Sequence, residues 1–337
     1  MIKKIKSLFL ALALGLCFNS NALAEENTNE PESDLESLLN TEINTGGVGS
    51  FGYRLQDLGV QTYLHGYVVT DIAYSPDLSP KTPLTTKSFS AKVLDDFSSP
   101  KVAPISFDIH YFNIFVGANI KNLVNAEMQI EKEHGGDDQQ VRFAQLDLLF
   151  HPLAIVRLGK FLIPMGTFNE YLYPEYITRG VERPFPLLAI VPVAWPEVGA
   201  QIRGKYEFGI GQNINYAFYV VNGLEQDDSD PKNGIDDGGD IRKMRYNHID
   251  ANSDDKAFGG RIGARLIPNL DFGVSGYTGG YTIDGKKRLS IFDFDTTYSW
   301  EKLSLNGEFV MGLQDSSKGT EIKQGFYVQA AYRLFDF

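Results

Sequence analysis

After its first two dozen residues, the chain has no run approaching the roughly 18 to 20 uninterrupted apolar residues that a helix needs to cross a bilayer. A helical membrane protein is therefore excluded. Cysteine is almost missing as well: the single Cys17 lies near the start, so a disulfide framework and thiol chemistry are excluded from the rest. The five histidines (His65, His110, His134, His151 and His248) show no metal-ligand spacing. Asn247-His248 has no nucleophile paired with it, and no Ser–His pair marks a hydrolase at a lipid edge. These absences point away from an enzyme and imply no cofactor. Positive charge is also scarce, with 31 Lys and Arg against 43 Asp and Glu, a formal net charge of −12. That balance disfavours nucleic acid and anionic surfaces as partners.

What is present begins with a secretory signal. Lys3, Lys4 and Lys6 precede an apolar stretch from Leu8 to Cys17, and Ala22-Leu23-Ala24 offers an A-x-A cleavage site. Leu16 is too bulky for a lipoprotein cleavage site, so cleavage after residue 24 without a lipid anchor is expected. Losing the three lysines takes the net charge to −15. Residues 25–58 form a second piece, an acidic periplasmic arm. Its start, Glu25-Glu26-Asn27-Thr28-Asn29-Glu30-Pro31-Glu32, is too poor in apolar residues to fold. Ser33-Asp34-Leu35-Glu36 can cap a short helix through Leu39, which Gly46, Gly47, Gly49 and Gly52 end.

From residue 59 to 337 the pattern is period two. Twelve strand candidates are predicted: 60–74, 104–118, 123–132, 140–150, 153–161, 196–208, 211–222, 256–267, 270–281, 288–298, 303–312 and 323–335. Val198, Ala200 and Ile202 alternate with Gln201, Arg203 and Lys205. Phe258, Ile262 and Leu266 oppose Arg261 and Arg265, and Val124, Ala126 and Met128 oppose Glu127 and Gln129. Aromatics make up 12% of the chain and glycine is abundant at 33 residues. Tight connections near 119–122, 151–152, 209–210, 267–269 and 300–302 alternate with longer ones at 75–103, 133–139, 162–195, 223–255, 282–287 and 313–322. Short turns on one rim and long loops on the other are the asymmetry of an outer-membrane barrel. A soluble sandwich would need the charged phase on its outside. The expectation is all-β: a transmembrane, antiparallel, up-and-down β-barrel of about 12 strands, with 12–16 in range. Phe337 supplies a terminal aromatic, out of phase with the last strand unless a bulge near Phe335 intervenes.

The interior phase carries the chemistry. Inward charges keep water in a lumen and set which ions enter. The 162–195 segment is rich in proline and aromatics, and two arrangements are open to it. It folds inward, bringing Arg179 and Arg183 to the lumen, or it packs as an extracellular cap. The expected interior residues are Glu127, Arg157, Arg179, Arg183, Arg203, Lys205, Arg261 and Arg265. The aspartate-rich stretch at 223–255 has oxygen ligands of the kind Ca²⁺ takes, but Asp228-Ser229-Asp230-Pro231 breaks the EF-hand rhythm. It reads as a solvated surface loop.

Two motifs, Gly159-Lys160-Phe161-Leu162-Ile163-Pro164-Met165-Gly166 and Trp195-Pro196-Glu197-Val198-Gly199, resemble the phosphate-selective porin O/P family and related porin-like barrels of Gram-negative outer membranes. The likeness is best over 155–208 and continues weakly through Ala257-Phe258-Gly259-Gly260-Arg261. It implies a trimeric diffusion channel in which Arg203, Lys205, Arg261 and Arg265 are lumen cations. The function expected is passive diffusion of small hydrophilic, including anionic, solutes across the outer membrane, in contact with lipid and lipopolysaccharide. The alternative is a closed structural or adhesive barrel working through its long loops.

Overall fold

The computed structural model describes residues 59–74, 105–133, 138–174, 177, 183–225, 241–246, 255–282 and 285–334. The signal, the arm, Arg179, Phe337 and most of the 223–255 loop lie outside the described residues. The strands are β1 (Val60–Tyr74), β2 (Ile105–Ile120), β3 (Val124–Glu133), β4 (Asp138–His151), β5 (Ala154–Leu162) and β6 (Pro196–Phe208). They continue as β7 (Gln212–Val221), β8 (Ala257–Ile267), β9 (Leu270–Gly280), β10 (Arg288–Trp300), β11 (Leu303–Ser316) and β12 (Gly319–Tyr332). Each pairs antiparallel with its neighbour in sequence, in one sheet ordered β1 to β12. This is the up-and-down order in which every hairpin is local. Among the described residues no ladder joins β1 to β12.

The tight turns form for local reasons. Between β2 and β3, Lys121 and Asn122 take left-handed backbone angles (φ 51° and 54°), and the Asn122 N–H donates to Asn119 Oδ1 at 3.0 Å. Gly209 and Gly211, Asn269 and Glu301 supply positive φ to the β6–β7, β8–β9 and β10–β11 turns. The fifth tight hairpin, β4–β5, turns at Pro152-Leu153, where the Leu153 N–H donates to His151 Nδ1.

One connection departs from expectation. The 313–322 stretch is not a long loop: β11 continues to Ser316 and β12 begins at Gly319. Ser316 Oγ accepts the Lys318 N–H and donates to the Gly319 carbonyl, closing a two-residue turn. The alternation that reads as ending at Gly312 in fact continues, because Gln314 is a fully buried inward residue. Short and long connections therefore do not alternate through the last hairpin.

The two faces separate as the alternation requires. Leu158, Ile202, Phe218, Phe258, Ile262, Val274, Phe292, Phe309, Phe326 and Val328 are exposed on the outer face. The cross-strand row Arg157–Gln201–Tyr219–Gly259–Tyr277 runs along the inner one. The core is also inside the sheet, at the end opposite the tight turns. There Phe161, Ile163, Met165, Val191, Val193, Trp195, Leu289 and Ile291 pack among Phe143, Tyr219, Tyr277 and Met244. This end of the interior is dry and apolar, because described residues of the 162–195 segment fill it.

Candidate functional site in the barrel interior

The inward loop is launched by the two glycines of the first motif. Gly159 has φ +109°, and a Cβ there would run into the Ala144 carbonyl of β4. Only glycine lets β5 bend away from β4 at that point. Gly166 has φ +62°, and a Cβ would sit 2.6 Å from Glu308 Oε2 and 2.9 Å from Asp293 Oδ2. The bare backbone here lies directly against the β10–β11 wall. Its N–H donates to Ser275 Oγ at 2.9 Å. The next two N–H groups, of Thr167 and Phe168, donate to Glu308 Oε1 at 3.0 and 2.7 Å, and Thr167 Oγ1 donates to Asp295 Oδ1 at 2.5 Å. Of the two arrangements open to this segment, the inward one is found.

A π-helical turn, Phe168–Leu172, then carries the chain back across the interior. Asn169 ties the two ends of the loop together. Its Nδ2 donates to the carbonyls of Ile163 (2.8 Å) and Trp195 (3.2 Å), and its Oδ1 accepts the Trp195 N–H at 2.8 Å. Glu170 meets Arg203 at 2.5 Å and Arg157 at 3.7 Å, and Tyr171 Oη accepts from Arg203 at 3.0 Å. Tyr173 donates to Gln129, and burial pushes its hydroxyl pKa up. After the five-residue helix α1 (Phe185–Ala189), Trp195 closes the loop. Its ring meets Tyr277 edge-on at 4.7 Å, and its Nε1 donates to Glu197 Oε1 at 2.9 Å.

Five of the expected interior cations, Arg157, Arg203, Lys205, Arg261 and Arg265, face inward, and each carries a carboxylate. Arg157 grips Asp147 with two bonds of 2.7 and 2.9 Å. Arg261 holds Asp295 at 2.6 and 3.0 Å and reaches Asn215 at 3.2 Å. Arg265 holds Asp271 at 2.6 and 2.9 Å, and Lys205 meets Glu207 at 2.6 Å. Fork-to-carboxylate geometry fixes orientation as well as charge. Glu127 accepts from Tyr63 Oη (3.0 Å) and Gln145 (3.2 Å), with no cation beside it among the described residues. Asp293, Glu197 and Glu308 likewise make no ion pair among the described residues. At the five cation sites the positive charge is therefore met by carboxylates.

Along the inner face of β6, Glu197 and Gln201 are buried, Arg203 is half-buried, and Lys205 and Glu207 are exposed. A vestibule opens on the tight-turn rim, and the loop is its floor. Arg157, Arg203 and Arg261 gather around that floor, while Lys205 and Arg265 sit nearer the mouth. Arg183 does not join them: it is buried, with Cζ 5.6 Å from the centre of the Tyr111 ring. Arg179 lies outside the described residues.

Reading the positive residues alone passes over Asp147, Glu170, Asp271, Asp293, Asp295 and Glu308. The signal for two of them was the alternation Ile291-Phe292-Asp293-Phe294-Asp295, whose odd phase is inward. Among the described residues, no group of three metal-ligating side chains could hold a metal ion.

The architecture has known counterparts. Over 82% of this chain and 75% of the other, it superposes on the anion-selective porin from Comamonas acidovorans with a TM-score of 0.50 at 13% identity. The fold is a porin-like β-barrel. A loop L8 deletion mutant of OmpT, an outer membrane protein of Vibrio cholerae, aligns over 82% and 78% of the two chains at 11% identity, with a TM-score of 0.47. In sequence, an uncharacterized protein of Aquifex aeolicus (strain VF5) is 31% identical over 252 residues, covering 67% of this chain and 55% of that protein. The chain thus spans about half the length of this curated relative. No family model matches it.

Proposed function

We propose that this barrel is a passive channel of the Gram-negative outer membrane for small hydrophilic solutes, reached through a cleaved signal peptide and without enzymatic activity. The observation that carries the reading is the inward loop, which crosses from the β5–β6 wall to the β10–β11 wall and floors a charged, solvent-open vestibule. The loop meets that wall through three consecutive backbone N–H groups and the Thr167 hydroxyl, and so narrows the interior there. Because five of the expected cations are paired with carboxylates, the vestibule carries mixed charge rather than a row of free cations for anions. Assembly as a homotrimer belongs to the same reading, and native mass spectrometry of the detergent-solubilised protein measures it.

One observation favours the alternative of a closed structural or adhesive barrel: the dry core that fills the half of the interior away from the tight turns. Planar-bilayer recording separates the two. Stepwise openings support the channel, and silence from a correctly folded barrel supports the closed one. Reversing Arg203 and Lys205 to glutamate should move the reversal potential in asymmetric KCl toward cations. An unmoved potential would place these side chains off the ion path.

A further inference from the structure

The barrel wall has a slot. The β4–β5 ladder stops at Ala144↔Lys160, yet β3–β4 pairing continues up to Glu133↔Asp138 and β5–β6 pairing up to Leu162↔Pro196. Above Lys160 the two strands part, at the kink that Gly159 permits. The opening encloses about 250 Å³, below the ~300 Å³ at which pockets begin to hold whole drug-sized molecules. Gln140, Arg142, Lys160 and Arg245 line it with polar groups, and Val141 and Pro196 with apolar ones.

Its charges are mostly positive. Arg142 is held by Glu131 at 2.6 Å, and the Nη1 of Arg245 donates to the carbonyls of Pro192 and Ala194, both at 2.9 Å. Glu197, the other acid within electrostatic reach of Lys160, is engaged by Trp195 and Gly223. The Lys160 ammonium makes no hydrogen bond or ion pair among the described residues. Its cross-strand partners, Ala144 and Val198, belong to the outer, apolar face. A lysine there is costly unless it reaches the headgroup layer.

We infer that the β4–β5 slot is a binding site for a phosphate group, presented by a lipid headgroup of the leaflet next to the long-loop rim. The Lys160 ammonium is the donor offered to the phosphate, and the Arg142 and Arg245 guanidinium groups, engaged by Glu131 and by the Pro192 and Ala194 carbonyls, supply positive field around it. The lipid source rests on the outer-membrane reading above; the channel activity does not enter.

The test uses the full chain in detergent, with native mass spectrometry against diphosphorylated lipid A and its dephosphorylated form, and ³¹P NMR with inorganic phosphate. Wild type should retain the phosphorylated lipid and not the dephosphorylated one. Lys160→Glu should weaken retention about tenfold, with Lys160→Met intermediate. Should inorganic phosphate bind with the same Lys160 dependence while lipid does not, the site stands and its ligand is soluble phosphate. Equal retention of both lipids by wild type, with no phosphate binding, overturns the site, whatever the variants do. Conductance of the wild type decides the channel reading separately.

Discussion

Glu308 is where the inward loop is fastened. One of its oxygens accepts two consecutive backbone N–H groups, and Gly166 has to be glycine for the backbone to come that close. Glu308→Ala removes both of these hydrogen bonds and should free the loop at this wall. Single-channel conductance is expected to rise severalfold over wild type; unchanged conductance would mean that the loop stays put without this contact. Trp195 acts differently. It is fully buried, packs edge-on against Tyr277 and satisfies Glu197. Trp195→Ala removes a large side chain from a packed core and one of the two donors to Glu197, for about 3–5 kcal/mol of destabilisation. Unfolding in urea from detergent micelles measures that loss. The residue scale also explains why arginine alone misleads as a guide to selectivity: Arg157, Arg261 and Arg265 each occupy a carboxylate across the strand pair or one strand further on.

At the scale of the strand, alternation makes two populations of side chain with different solvents. The mature chain has no cysteine if the signal is removed, so single cysteines report each position cleanly. Cysteines replacing Val198, Ala200 and Ile202 should react with a bilayer-embedded thiol probe. Those replacing Arg203, Lys205 and Glu207 should react with a water-soluble one, and those at Glu197 and Gln201 with neither until the protein is unfolded. Interchange of the first two groups would invert the barrel faces. The β11–β12 hairpin shows what alternation hides. Polar Gln314 and Asp315 resemble a loop in composition, yet they continue the ladder, opposite Glu321 and Thr320. A pleated strand with an interior polar face has no compositional edge, so only a turn signal such as Gly319 (φ 122°) marks its end.

For the molecule as a whole, the sheet and the loop are separable parts. The eleven consecutive hairpin ladders do not need the loop for their backbone bonds, whereas the dry core exists only because the loop fills that end. Replacing residues 167–193 with a short Gly-Ser linker should leave a heat-modifiable, β-rich barrel by circular dichroism. Its conductance should exceed that of the wild type. A silent but folded barrel after this excision would favour the closed, surface-acting reading.

The strands were legible in the sequence because a membrane barrel writes its two solvents into odd and even positions, and local turns need particular residues. Val60–Tyr74 and Pro196–Phe208 begin and end where the alternation does. The two loop glycines were equally visible as a motif, though not the reason for them. What the tertiary structure alone decided is which charges meet. Gly166 and Ser275 are 109 positions apart, and Thr167 and Glu308 are 141 apart. Only the curvature of the sheet brings the β5–β6 and β10–β11 walls within reach of one loop. The direction of that loop, and with it the meeting of Glu170 with Arg203, depends on that curvature, which no local pattern encodes, whereas the Arg157–Asp147 and Arg265–Asp271 pairs are local to their hairpins.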